Sequence, residues 1–151
     1  MNTKFKNYLD RGSIRKFSRG PALAKKELEN AELDIDSAKE SLKKENYKWA
    51  TIQTYYSMFH SARALLYSKG YREKSHICLI EAIRNFYIEK GEIGFWLIET
   101  FQKAKTMREE ADYYGEFTKE NAEDLISKAQ EFLVKAKALL SQEKAPGFTL
   151  G

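Results

Sequence analysis

The stretch WATIQTYYSMFHSARALL, Trp49 to Leu66, decides the fold class. Apolar residues recur at Trp49, Ile52, Tyr56, Phe59, Ala62 and Leu66, spacings of three and four that define one stripe of a helix. No period-two alternation competes with it. Working outward, Leu23, Leu28, Ala31, Ile35, Ala38 and Leu42 repeat the pattern in a first segment. A third runs from Ser75, the expected N-cap, through Leu79, Ile83, Phe86 and Tyr87 to about Lys90. A fourth, about Ile93 to Tyr113, carries Phe95, Leu97, Ile98, Phe101 and Met107. The last begins at Thr118, has an acidic first turn (Glu120, Glu123, Asp124), and continues as Ala122, Leu125, Ala129, Phe132, Leu133, Ala136, Leu139 and Leu140. Pro21 and Pro146 bracket a body in which glycine stands only at 70, 91, 94 and 115, where helices would end. Short connections make sequential helices antiparallel neighbours. The expected architecture is all-α, an up-and-down four-helix bundle with one additional short helix.

A chain of 151 residues suits one domain. Its 20 aromatics and 42% apolar content exclude disorder, and 32% charged residues give it a polar surface. No apolar run reaches the ~18 residues of a membrane span, so no membrane role is expected. The start, MNTKFKNYLDRGSIRKF, has cations but no apolar segment after them, so no secretory signal is read there and the expected compartment is the cytoplasm. A lone cysteine, Cys78, reads as a small buried apolar residue.

The charge is unevenly distributed. Residues 1–20 hold six cations against Asp10, a net of +5, which leaves −1 for the remainder of a chain whose total is +4. The expected domains are thus a basic N-terminal arm (1–20), the helical body (21–142) and a flexible C-terminal tail (143–151). Phe5, Tyr8, Ile14 and Phe17 punctuate the arm and would pack it onto the body or stack on bases.

Several residues could carry chemistry. Arg63 lies four after Phe59 and three before Leu66, which turns its guanidinium toward the apolar stripe and demands a carboxylate, with Glu81, Glu109 and Asp112 as candidates. It would make a core ion pair or line a phosphate pocket. His60 falls near Tyr56, Ala64 and Tyr67, a place for a packing histidine or a catalytic one. Lys74, Ser75 and His76 open the third helix, where free N–H groups favour an anion; plain capping by Ser75 is the simpler alternative. Di-iron bundles need two Glu-x-x-His pairs, and the only match, Glu73 to His76, sits in a turn without a second copy. No metal and no cofactor are expected, and nucleotide-binding and nucleophile-elbow motifs are absent.

The run Tyr-Tyr-x-Met-Phe-His-x-Ala-Arg-Ala-Leu-Leu (55–66), with Gly70, Lys74-Ser75-His76 and Arg108-x-x-Ala-Asp-Tyr (108–113), resembles the HEPN superfamily, in particular its small stand-alone prokaryotic branch. The resemblance covers about residues 20–140. It implies a helical bundle that homodimerises, often encoded beside a minimal nucleotidyltransferase as a toxin–antitoxin pair. Active members are metal-independent RNases whose motif is an arginine followed after four to six residues by a histidine. Arg108 matches that arginine, but Tyr113 stands where the histidine belongs, and no histidine follows His76. A phenol with a reference pKa near 10 is a poor general base at neutral pH, whereas imidazole near 6.5 is well placed.

The leading expectation is therefore a homodimer with a degenerate RNase motif. It binds a nucleotide, RNA or a nucleotidyltransferase through Arg63, Lys74, His76 and Arg108. By resemblance, Tyr113 or Tyr114 is the acceptor for nucleotidyl groups. The alternative is an active RNase toxin in which His60 or His76 works with Arg108, so enzymatic activity stays open.

Overall fold

The computed structural model describes residues 1–109 and 117–150, with side chains through 142. The elements are α1 (Thr3–Asp10), β1 (Ile14–Lys16), α2 (Gly20–Lys43), α3 (Tyr47–Ser68), β2 (Tyr71–Glu73), α4 (His76–Ile83), a π-helical turn (Arg84–Ile88), α5 (Trp96–Glu109) and α6 (Lys119–Leu150). Helix thus dominates, as the periodicity predicts. Glu110 to Glu116, with Asp112, Tyr113 and Tyr114, fall outside the described residues, as do the side chains of the expected tail.

Local chemistry fixes the helix starts. Ser75 Oγ accepts from the Cys78 N–H (3.3 Å) and Thr118 Oγ1 from the Asn121 N–H (3.1 Å), so both expected caps form. Asn2 and Asn46 cap α1 and α3 in the same way. All eight apolar positions expected of α6 are buried. α5 begins at Trp96, three residues later than expected, and leaves Phe95 exposed.

On α3 the expected stripe is buried at Ala62 and Leu66 but not at its outer aromatic positions. Trp49 is 52% and Tyr56 39% exposed, while Ala50, Thr54, Tyr55, Met58, Ala62 and Leu65 are buried. Small residues explain the rotation. Ser57 Oγ donates to the Ala31 carbonyl on α2 (2.8 Å), and Thr51 and Thr54 return their hydroxyls to carbonyls one turn back, so these three hydroxyls are buried without a lost hydrogen bond, whereas Ser61 Oγ has no partner among the described residues. Paired with Ala31 and Ala38, they let α2 and α3 approach closely, and the bulkier aromatics turn outward.

The N-terminal segment docks on the body. Phe5 is fully buried, edge-on to Tyr71 and Phe86, and β1 pairs antiparallel with β2 in the register Ile14↔Glu73, Arg15↔Arg72 and Lys16↔Tyr71. Gly70, at φ +82°, makes the left-handed turn out of α3, and its carbonyl accepts from the Phe17 N–H (2.7 Å). The ribbon and α1 are absent from the sequence-based expectation, which has only an arm there.

Gly20 starts α2 against the end of α3. A Cβ there would stand 2.5 Å from the Tyr67 carbonyl oxygen, which is backbone and cannot swing aside. Gly20→Ala should lower the unfolding free energy by about 1–3 kcal/mol in urea titrations. An unchanged midpoint would mean that this contact relaxes freely.

Candidate functional site

Tyr55 and Tyr56 are neighbours on α3, so they point about 100° apart. One faces the core, with 4% of its surface exposed, and the other faces out. Arg108, in the last turn of α5, lies across both. Its guanidinium carbon is 4.8 Å from the Tyr55 ring centre and 5.6 Å from that of Tyr56, and Nη1 donates to the Tyr56 hydroxyl (3.2 Å). His76, the first residue of α4, stacks on Tyr55 (5.8 Å, 20°), packs against Phe101 (4.5 Å), and meets the Tyr55 hydroxyl through Nδ1 at 3.0 Å. Three helices thus converge on Tyr55.

The electrostatics follow from burial. Burial, reinforced by Lys105 and Arg108 and partly opposed by Glu109, lowers the His76 pKa to about 4, so the ring is neutral at pH 7. Burial raises the pKa of Tyr55, with Arg108 opposing and Tyr56 and Glu109 adding to the rise. Glu109 is held below its ordinary value, first by its hydrogen bond to Lys105 at 2.6 Å. Two polar atoms in the cluster, His76 Nε2 and Arg108 Nε, are buried without a hydrogen-bond partner among the described residues. A guanidinium N–H left unpaired at the edge of an aromatic platform suits an anionic oxygen.

The other expected site residues form a second polar group. Arg63 donates through Nε (3.1 Å) and Nη2 (2.7 Å) to one oxygen of Glu73, and its guanidinium covers the Phe59 ring at 4.4 Å. Of the anticipated partners, neither Glu81 nor Glu109 holds it. The ribbon folds β2 back along the end of α3, which brings in a carboxylate only ten residues away. Glu81 faces Lys4 and Arg84, Glu109 bonds Lys105, and Asp112 lies outside the described residues. His60 Nδ1 meets Glu27 Oε2 at 2.5 Å and Nε2 lies 3.6 Å from Asp34 Oδ2, both on α2. Burial raises the Asp34 pKa, and His60 opposes the shift. Lys74 is exposed between β2 and α4.

The structure therefore brings His76 and Arg108 to one cluster and places Arg63 and His60 in another. Sequence reasoning missed Tyr55 as the link, along with Glu27 and Glu73 as partners. The adjacent tyrosines at the centre of the longest aromatic run were the available signal. Among the described residues no group of three or more histidine, cysteine, aspartate or glutamate side chains could hold a metal ion, and no helix is long and apolar enough to cross a membrane.

A family profile for the HEPN domain matches residues 24–139. The chain belongs to the HEPN family. A Methanocaldococcus jannaschii relative named as a candidate toxin is 33% identical over 115 residues, covering 75% of this chain and 78% of the relative. A second, also named as a candidate toxin from that organism, is 31% identical over 116 residues, with 76% and 87% covered. A Thermotoga maritima UPF0332 protein is 30% identical over 112 residues, with 73% and 85% covered. The HEPN match includes α3, α4 and α5, so every residue of the Tyr55 cluster lies within it.

Proposed function

We propose that this HEPN protein homodimerises and binds a phosphate of a nucleotide or RNA at the Arg108–Tyr55–His76 cluster. In this reading it works with a minimal nucleotidyltransferase as one half of a toxin–antitoxin-like pair, and its own RNase pattern is broken at Tyr113. The observation that carries the reading is Arg108, whose buried Nε has no partner among the described residues and whose guanidinium is braced over two tyrosine rings. The names of the two archaeal relatives support the toxin-like role. The outward Trp49 and Tyr56, seven residues apart on α3, support a second copy as the cover for their exposed side. Light scattering should show a dimer at micromolar concentration, and a monomer throughout would count against it.

The purified protein should leave single-stranded RNA intact yet bind it with an affinity that falls as salt rises. Arg108→Ala should weaken binding roughly tenfold, the contribution of one charge-assisted contact. Tyr113→His should raise cleavage above background by restoring an imidazole five residues after the arginine. A second reading, an active RNase, is favoured by the place of His76 in the Arg108 cluster. Robust metal-independent cleavage by the unmodified protein, abolished by His76→Ala, would replace the first reading with the second. His60, engaged by Glu27 and Asp34, is the weaker candidate for that role.

A further inference from the structure

We propose that Tyr55 fixes His76 in the tautomer whose Nε2 carries the proton, making His76 a neutral hydrogen-bond donor to a phosphate beside Arg108. The inference rests on the reading above, that this cluster holds a phosphate, and assigns Tyr55 as the positioning residue.

A hydrogen bond of 3.0 Å joins the Tyr55 hydroxyl to His76 Nδ1. The proton lies on either the oxygen or the nitrogen. If Nδ1–H donates to the phenol oxygen, the phenol proton is left over, and the Tyr55 hydroxyl has no other partner among the described residues. The Nε2 lone pair would be unsatisfied as well, since that atom is buried and has no partner among the described residues. If the phenol donates to Nδ1 instead, its proton is satisfied and only Nε2–H stays open. The second arrangement leaves one buried group unpaired instead of two, and it uses the better donor and the better acceptor. The raised pKa of Tyr55 keeps the phenol proton in place to donate.

The tautomer decides what His76 can do. With Nδ1 occupied as an acceptor and Nε2 protonated, the ring cannot take a proton from a ribose hydroxyl at Nε2. It offers an N–H. The charged groups around it reinforce this: Lys105 and Arg108 on α5 both disfavour the imidazolium, and Glu109, which favours it, is itself bonded to Lys105. A ligand would then meet two donors, neutral Nε2–H and the cationic Arg108 Nε–H, both on side chains packed against the Tyr55 ring. Solvent reaches the cluster at the Tyr56 hydroxyl and Arg108 Nη1, which form an exposed hydrogen bond.

Nitrogen-15 NMR of the full-length protein labelled at histidine reads the tautomer directly. At pH 7 the His76 ring should show a protonated Nε2 and an unprotonated Nδ1, assigned with His76→Gln. Titration with inorganic phosphate should shift the Nε2 resonance. Tyr55→Phe keeps the packed ring but removes the donor; it should mix the two tautomers and weaken phosphate binding roughly three- to tenfold. Because the bound ring stays neutral, phosphate-induced changes at His76 should persist from pH 8 to pH 6. A protonated Nδ1, an Nε2 signal indifferent to phosphate, or a tautomer unmoved by Tyr55→Phe would overturn the inference. Phosphate binding that survives Arg108→Ala while the His76 response remains would instead remove Arg108 from the reading above and leave this one standing.

Discussion

Arg63→Ala is expected to lower the unfolding free energy by about 3 kcal/mol, the low end for breaking a buried ion pair because the guanidinium is partly solvated. Glu73 supplies the cost. Its side chain is 3% exposed, one oxygen takes both arginine donors, and the other is buried without a hydrogen bond among the described residues. Truncating the arginine strands a carboxylate between β2 and α3 and uncovers the Phe59 ring. Arg63→Lys should recover only part of the loss, since one ammonium cannot place two fork-shaped donors on a single oxygen. The double change Arg63→Met with Glu73→Gln should cost less than the sum of the single changes, because it removes the stranded charge. Urea titrations test all three. A loss below about 0.5 kcal/mol for Arg63→Ala would mean that the pair is solvated and contributes little.

Acidification should destabilise the fold through His76 by roughly 2–3 kcal/mol between pH 7 and pH 4. The folded pKa is about 4 against a reference of 6.5, so between those values the unfolded chain binds the extra proton and the native ring does not. Stability from this group is therefore present above pH 6.5 and is lost as the pH falls toward 4. Asp34 acts in the opposite sense, because its raised pKa lets the native carboxyl take up a proton first. The comparison that isolates His76 is wild type against His76→Gln, whose stability should vary less steeply over the same interval. Parallel curves for the two proteins would place the ring in solvent.

The helices were legible because long amphipathic segments repeat their signal over many turns. α6 shows this best, with every expected apolar position buried. α3 shows the limit of the method: it is apolar on two faces, and the large aromatics outweigh the small hydroxyl and alanine positions that form its closest seam. The ribbon was not legible, because three-residue strands carry almost no periodicity and pair across more than fifty residues of chain. Missing the ribbon meant missing Glu73, and with it the partner of Arg63. The cluster was half legible. Arg108 and His76 drew notice as charged and titratable side chains, but Tyr55 is one of nine tyrosines, and its role comes from packing against two helices that lie far from it in sequence.

The docked N-terminal segment bears on where this domain begins. The HEPN match opens at residue 24, yet Phe5 and Ile14 lie in the same apolar cluster as Tyr55, Leu79 and Phe132. A protein trimmed to the matched residues would carry an open wound on the β2 and α4 side, with Phe86 and Tyr71 stripped of their edge-on neighbour. β2 would also lose the strand that holds it, loosening the segment that sets Glu73 under Arg63 and leads into His76. The first nineteen residues therefore brace the segment that leads into the Tyr55 cluster.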